Sequence, residues 1–133
     1  MNTMKTHRDL DVWKKSVVLV TTVYEITKSF PKEEIYGLTN QIRRSAVSVP
    51  SNIAEGSARQ GNKEFAQFLY ISLGSLTELE TQLIIAGNLK FLSENDYESL
   101  MESLKEIGKM LIGLIRYVKK KWVNSEQRTV NSE

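Results

Sequence analysis

Apolar residues along this chain recur at steps of three and four, which is the spacing of helices that bury one face. No segment of strand length alternates between apolar and polar residues with a period of two. The pattern predicts helices at about residues 10–30, 33–60, 63–87 and 94–122. Because the connections are short, we expect an all-α fold, an antiparallel up-down-up-down four-helix bundle that forms one domain over residues 1–122.

Each of the first three predicted helices has one apolar stripe that we expect to face the core. In the first helix the stripe comprises Leu10, Trp13, Val17, Val20, Tyr24 and Phe30. In the second helix it comprises Ile35, Leu38, Ile42, Ala46, Val49 and Ile53. In the third helix it comprises Phe65, Leu69, Leu73 (or Ser72), Leu76, Leu79, Leu83 and Ala86.

The fourth predicted helix has a wider apolar face and begins after a capping box, Ser93 to Asp96. Its main seam alternates steps of four and three residues and comprises Tyr97, Met101, Leu104, Gly108, Leu111, Ile115, Val118 and Trp122. A second column repeats every seven residues and comprises Leu100, Ile107 and Leu114. This column either lies deep in the chain's own core or is buried against another subunit. Residues 123–133 are polar without periodicity, so we predict a disordered tail there.

Pro50 interrupts the second predicted helix, because it has no N–H and leaves the carbonyl of Ala46 without its helical partner. It marks either a loop between two helices or a kink in one. Asn52 and Glu55 resemble a capping box that would restart a helix after a break. The apolar stripe nevertheless continues in phase, which favours one continuous helix that is kinked at Pro50. The short polar side chains expected to bond the freed backbone are Ser48, Ser51 and Asn52.

The third predicted helix carries small residues at Ser72, Gly74 and Ser75, which we expect to admit a neighbouring backbone. Glu78 lies one turn after Ser75. It could pair across helices with one of the arginines Arg43, Arg44 and Arg59. A buried pair of this kind would specify helix register more than it would stabilise the fold.

Composition narrows the possible chemistry. The 133 residues include no cysteine and one histidine, His7, in the N-terminal arm. Disulfides and thiolate chemistry are therefore excluded, and so is a di-iron carboxylate site, which needs Glu-x-x-His pairs on two helices. Without a usable histidine, only a lysine could activate a serine nucleophile, and no Ser-x-x-Lys occurs at the start of a predicted helix. We expect no cofactor, no metal site and no catalytic residue.

Three carboxylates, Glu55, Glu78 and Glu80, are candidates for general acid–base work. Isolated acids on helices are more often solvated or paired with arginines. We therefore predict that the chain is not an enzyme.

Charge and hydropathy set further expectations. The formal net charge is +2 and the pI about 8.8, which permits a nucleic-acid partner without requiring one. No apolar run exceeds four residues, and the N-terminus has no apolar segment typical of an export signal. We expect a cytoplasmic protein that does not associate with membranes.

Residues 41–83 read QIRRSAVSVPSNIAEGSARQGNKEFAQFLYISLGSLTELETQL. This stretch closely resembles the signature of the 23S rRNA intervening sequence proteins, also called S23 ribosomal proteins. The preceding RDLDVWKKSVVLVTTVYEITKSFPKEEIYGLTNQ resembles the first helix and turn of that family, and the match extends to about Lys121. The signature positions that we expect to shape the bundle are Ser48, Pro50, Asn52, Glu55, Gly56, Gly74, Ser75 and Glu78.

The resemblance implies a bacterial four-helix bundle whose gene lies either in an intervening sequence within a ribosomal RNA gene or elsewhere in the genome. A similar relative, the accessory variability determinant of diversity-generating retroelements, forms a homopentamer and binds nucleic acid and a reverse transcriptase. By analogy, this chain is expected to form a homopentamer whose basic surface binds RNA or DNA. The alternative is a protein–protein scaffold, or an accessory subunit that docks a partner such as a reverse transcriptase.

The cations available for nucleic-acid binding are Lys14, Lys15, Arg43, Arg44, Arg59, Arg116, Lys119, Lys120 and Lys121. Tyr117 and Trp122 flank the last of these and could stack on bases. The four on the fourth helix are equally explained by favourable interaction with the helix dipole in its final turns. A monomer of charge +2 would bind phosphate weakly, so this hypothesis depends on several copies acting together.

Overall fold

The computed structural model describes residues 6–132, apart from the side chains at positions 9 and 125–132. It contains α1 (Asp11–Thr27), α2 (Leu38–Ser57), α3 (Asn62–Asn88) and α4 (Glu94–Ser132). Short 3₁₀ segments at His7–Asp9 and Lys32–Glu34 precede α1 and α2. The described part of the chain contains no strand, and the predicted all-α four-helix bundle is confirmed.

Cross-helix contacts show that successive helices are antiparallel. Gly56 near the end of α2 lies beside Phe65 near the start of α3. Further along α3, Ser72 donates a hydrogen bond to the carbonyl of Val49, which lies earlier in α2. The end of α3 meets the start of α4 where Gly87 contacts the ring of Tyr97. α1 packs against both α2 and α4 and closes the bundle.

The core is a single apolar cluster to which all four helices contribute. The stripes predicted for α2 and α3 are largely correct, since Ile42, Val49, Ile53, Leu69 and Leu79 are fully enclosed. At the edges of these stripes Ile35 is exposed, and Leu38, Phe65 and Leu73 are only partly buried.

The stripe predicted for α1 is rotated from the observed one, because Val17 and Tyr24 are exposed. Val12, Leu19 and Val23 face the core instead. Two buried polar residues, Ser16 and Thr27, share this face, and their hydroxyls donate to the carbonyls four residues earlier at 2.7 Å. A hydroxyl that donates a hydrogen bond within its own helix can face the core. A prediction from apolar residues alone therefore did not identify these two positions.

The second apolar column of α4 lies in the chain's own core. Leu100 and Ile107 retain only 2% and 1% of their surface, and Leu114 is partly buried. The wide face of α4 is therefore explained by packing within one chain, and by itself it does not point to a subunit contact. The capping box before α4 is confirmed by a bond from the Asp96 N–H to Ser93 Oγ at 3.1 Å.

α2 continues through Pro50, so the expected single helix is correct and the loop alternative is wrong. Asn52 Nδ2 donates to both the carbonyl and the hydroxyl of Ser48 at 2.8 Å. These bonds and the bond from Ser72 Oγ reach the Ser48 and Val49 carbonyls, not the Ala46 carbonyl that the sequence pointed to. The polar side chains around Pro50 thus tie α2 to itself and to α3.

Three helix ends differ clearly from the prediction. α1 stops at Thr27, and α2 begins only at Leu38, after the 3₁₀ turn at Lys32–Glu34. α4 continues as helix to Ser132, where a disordered tail was predicted for 123–133. After Gly113 the chain has no glycine or proline, and polarity alone does not stop a helix once it has started. Residue 133 lies outside the described residues.

No helix in the described range is long and apolar enough to cross a membrane.

Candidate nucleic-acid interface

Three lysines lie against aromatic rings where the first half of α3 packs beside the second half of α4. We call this group the lysine–aromatic cluster. The ammonium-to-ring-centroid distances are 5.6 Å for Lys63–Trp122, 5.6 Å for Lys119–Tyr70 and 4.8 Å for Lys121–Tyr117. Lys119 Nζ also donates a hydrogen bond to Tyr70 Oη at 3.2 Å.

The helical repeat explains why the cluster faces outward. Ile115 and Val118 are buried in the core, so the positions around them point to solvent. The cations exposed there are Arg116, Lys119, Lys120 and Lys121. Tyr70 and Tyr117 remain 48% and 56% exposed, so part of each ring is open to a stacking partner.

The helix dipole does not account for these four cations. Lys121 lies 11 residues before the end of α4 at Ser132, which is about 16 Å or three turns of helix. The interaction of a charge with the dipole falls off within the last turn. None of the four forms an ion pair within 4.0 Å in the described range. Neither local explanation applies to them, so they remain available for an external anion.

Arg43 on α2 and Arg59 just beyond its end each have partners of their own. Arg43 donates to Thr27 Oγ1 at 2.9 Å and lies 4.6 Å from the Tyr24 ring centroid, so it joins α2 to α1. Arg59 is 2.7 Å from Glu55 and lies over the ring of Phe68. Sixteen residues, or about 24 Å of helix, separate the two arginines.

The cations of α1 are also apart from the cluster. Lys15 pairs with Glu106 on α4 at 3.4 Å, with both side chains about half exposed. Lys14 is exposed and lines, together with Lys15 and Glu106, a pocket between α1 and α4. Of the predicted cations, the structure therefore groups only Arg116, Lys119, Lys120 and Lys121.

Sequence reasoning missed Lys63 and Tyr70. Both lie on α3 about 50 to 60 positions before their partners, and nothing local distinguishes them from other exposed residues. Only the antiparallel register of α3 and α4 places them beside Trp122 and Lys119. An exposed tyrosine next to the buried Leu69 was the sole available hint.

The signature residues concentrate at the contact between α2 and α3. The hydroxyls of Ser48 and Ser75 are 2.7 Å apart, and Ser48 also accepts from Asn52. A Cβ at Gly56 would lie 2.6 Å from the Cβ of Phe68, closer than real atoms approach. Pro50, also on α2, is buried. Gly56 and the Ser48–Ser75 pair hold the two helices close together.

Two expectations for this contact are wrong. Gly74 is exposed, and a Cβ there would meet no atom within 4 Å, so it admits no neighbouring backbone. Glu78 forms no ion pair within 4.0 Å in the described range. It lies with Arg44 in a groove between α2 and α3.

The described residues contain no group of three or more His, Asp or Glu side chains placed to hold a metal ion. The structure thus offers a surface of cations and aromatic rings, together with a polar groove.

Comparison with known proteins places the chain in a family. The model of the 23S rRNA-intervening sequence protein family matches residues 8–113, most of the bundle. The chain belongs to this family. No curated protein matched the chain. Among solved structures, it is similar to a protein of unknown function from the S23 ribosomal protein family of Bacteroides thetaiotaomicron. The TM-score is 0.74 at 28% identity, over 79% of this chain and 95% of that chain.

In this member of the family, the match includes α1, α2, α3 and the first half of α4. It therefore contains the whole α2–α3 contact. The lysine–aromatic cluster lies partly beyond it, because Arg116 and the residues after it follow position 113.

Proposed function

We propose that this chain is a non-enzymatic, homo-oligomeric member of the intervening sequence protein family that binds RNA or DNA through the lysine–aromatic cluster. The observation that supports this is the placement of Lys63, Lys119 and Lys121 against partly exposed rings. Ammonium groups neutralise phosphates, and aromatic faces stack on bases of any sequence. Such a surface favours sequence-tolerant binding, with single strands preferred because their bases are free to stack.

The family name is consistent with a connection to RNA, although it describes the genomic setting of the family. The stronger support is chemical. Among the described residues, the cations of the cluster have no acidic partner within 4.0 Å, whereas Arg59 and Lys15 are each already paired. An unpaired surface cation contributes its full charge to a phosphate ligand.

The proposed self-association, as a pentamer by analogy with the relative, rests on exposed apolar residues at two places along α3. Ile71 in its first half is 51% exposed, and Ile85 and the following Leu89 at its end are 43% and 53% exposed. Several copies would repeat the cluster and raise the affinity for a long strand through multivalency. This compensates for the small net charge of one chain.

The test replaces two cluster lysines and the exposed lysine between them at once, as Lys119→Glu, Lys120→Glu and Lys121→Glu. Filter binding of single-stranded RNA and DNA is measured at two salt concentrations. We expect wild-type affinity to fall steeply with salt, and the variant to lose about tenfold or more at the lower salt concentration. The matched control is Lys28→Glu, Lys32→Glu and Lys90→Glu, which changes the net charge equally at the opposite end of the bundle.

Equal losses in both variants would contradict a defined interface and indicate general electrostatic attraction. No retention of wild-type protein at either salt concentration would contradict nucleic-acid binding altogether.

The second candidate function is a protein–protein scaffold, or an accessory subunit for a partner such as a reverse transcriptase, as the resemblance implies. The same exposed apolar residues of α3 favour it. It predicts that a specific protein co-purifies with wild type and with the cluster variant, but not with an Ile71→Asp, Ile85→Asp variant. RNA binding that depends on the cluster, with no such co-purifying protein, would contradict this alternative.

A further inference from the structure

A polar groove with a volume of about 320 Å³ lies between α2 and α3. Every side chain that lines it is polar or charged. This volume is at the small end of ligand clefts, which span about 300–1,000 Å³. The groove lies at the α2–α3 contact and shares no residue with the lysine–aromatic cluster on α3 and α4.

The side chains that line the groove come from α2 and α3 and lie at successive levels, about one helical turn apart. At the first level the hydroxyls of Ser48 and Ser75 close the gap with a 2.7 Å hydrogen bond. One turn further along each helix, Arg44 and Glu78 face each other in the same antiparallel register. These two opposite charges do not come within 4.0 Å, so the second level is open.

Gln82 occupies the third level, one turn beyond Glu78. It is only 7% exposed, and its Oε1 is enclosed without a hydrogen-bond partner among the described residues. A buried carbonyl oxygen without a partner costs free energy that a bound donor would recover. Rotation about its last bond can present either the oxygen or the NH₂ to the groove.

We infer that the groove binds a small zwitterion with one carboxylate and one ammonium group, of the amino-acid type. The Arg44 guanidinium would hold the carboxylate through two parallel hydrogen bonds. Glu78 would hold the ammonium group, and the Gln82 amide would complete its partners. The ligand thereby bridges the two charges that the bundle holds apart.

The charge pattern argues against other occupants. The Glu78 carboxylate repels a phosphate backbone, and the polar lining offers no apolar anchor for a partner helix. A single-charge molecule would leave either Arg44 or Glu78 unmatched. A zwitterion matches both charges and also reaches the amide.

The first experiment is calorimetric titration of the full chain with glycine, β-alanine and 4-aminobutyrate. The spacing between ammonium and carboxylate increases along this series. The member that binds best therefore indicates the distance between Arg44 and Glu78. Propionate and propylamine are the single-charge controls. We expect saturable binding of at least one zwitterion, about tenfold or more tighter than either control. Absence of saturable binding by all three zwitterions, or equal binding of propionate, would overturn the proposal.

The second experiment tests the residues with the zwitterion that binds best. Arg44→Gln and Glu78→Gln should each weaken binding about tenfold or more, and Gln82→Leu should also weaken it. Glu80→Gln, on the same helix but outside the groove, is the matched control and should bind as wild type. Thermal unfolding establishes that each variant is folded.

If Arg44→Gln and Glu78→Gln lower the mass in solution without affecting zwitterion binding, the groove is a contact between subunits and the proposal is wrong. Loss of RNA binding in the cluster variant, with zwitterion binding retained, would separate this site from the proposed function.

Discussion

Two glycines of the family signature show how one residue type serves different purposes. Gly56 lies where α2 approaches α3, and a Cβ there would collide with Phe68. Gly74 lies on the exposed side of α3, where a Cβ would meet nothing within 4 Å. The first glycine is required by packing, whereas the second only lowers the helix propensity of its segment.

This contrast predicts opposite effects of the same substitution. Gly56→Ala should lower the free energy of unfolding by about 1–3 kcal/mol, because the helices must separate to admit the methyl group. Gly74→Ala should raise it by about 0.5–1 kcal/mol through helix propensity. Urea unfolding followed by circular dichroism measures both. A Gly56→Ala protein as stable as wild type would contradict the close approach of α2 and α3.

At the scale of elements, α4 shows how a wide apolar face is used within one chain. Its main seam and its second column both pack on the core, and Ile107 is 1% exposed. Ile112, on the same helix, keeps 42% of its surface in solvent. α2 remains one continuous helix although it contains Pro50.

The packing of α4 predicts a large difference between two isoleucines. Ile107→Ala should cost about 2–5 kcal/mol of unfolding free energy, the usual range for emptying a core site. Ile112→Ala should cost well under half of that, because little of its surface leaves water on folding. Thermal and urea unfolding of the two variants check the difference. Equal losses of unfolding free energy in the two variants, measured on dilute monomer, would contradict the burial of the second column in the core.

At the scale of the whole molecule, the distribution of charge matters more than its sum. The net charge is only +2, but Arg116, Lys119, Lys120 and Lys121 form no ion pair within the described residues and lie at the end of the bundle where α3 begins. Exposed apolar residues lie towards the other end, at Ile85 and Leu89 where α3 ends. This separation would let copies associate through α3 and still present the cluster outward.

The arrangement predicts that self-association and salt dependence are coupled. Ile71→Asp with Ile85→Asp should lower the mass measured by light scattering and reduce the slope of log affinity against log salt, because fewer phosphates are neutralised at once. Val18→Asp, on an α1 residue that is 64% exposed, is the control and should change neither. A wild-type monomer, or an unchanged slope in a dissociated variant, would contradict multivalent binding.

Much of the fold was predictable because helix periodicity is a local property. The stripes of α2, α3 and α4 follow from apolar spacing, and the Ser93 cap follows from side-chain chemistry. Periodicity failed in α1, where satisfied hydroxyls at Ser16 and Thr27 occupy core positions. It also failed at the end of α4, because a polar sequence that lacks breakers can continue a helix.

The candidate site was less predictable, because its parts come from different helices. The four cations of α4 could be found as a local run, and Tyr117 and Trp122 beside them. Their partners Lys63 and Tyr70 could not, since the register of α3 against α4 depends on packing across the whole core.

By itself, the sequence determined the helices, their order, the family and the absence of thiol chemistry, because periodicity and composition act over short distances along the chain. Only the tertiary structure decided which cations gather, which glycine is a packing residue, and that Arg44 and Glu78 face each other unpaired beside a buried amide. These features depend on distances between helices, which are set by how side chains of remote segments interlock.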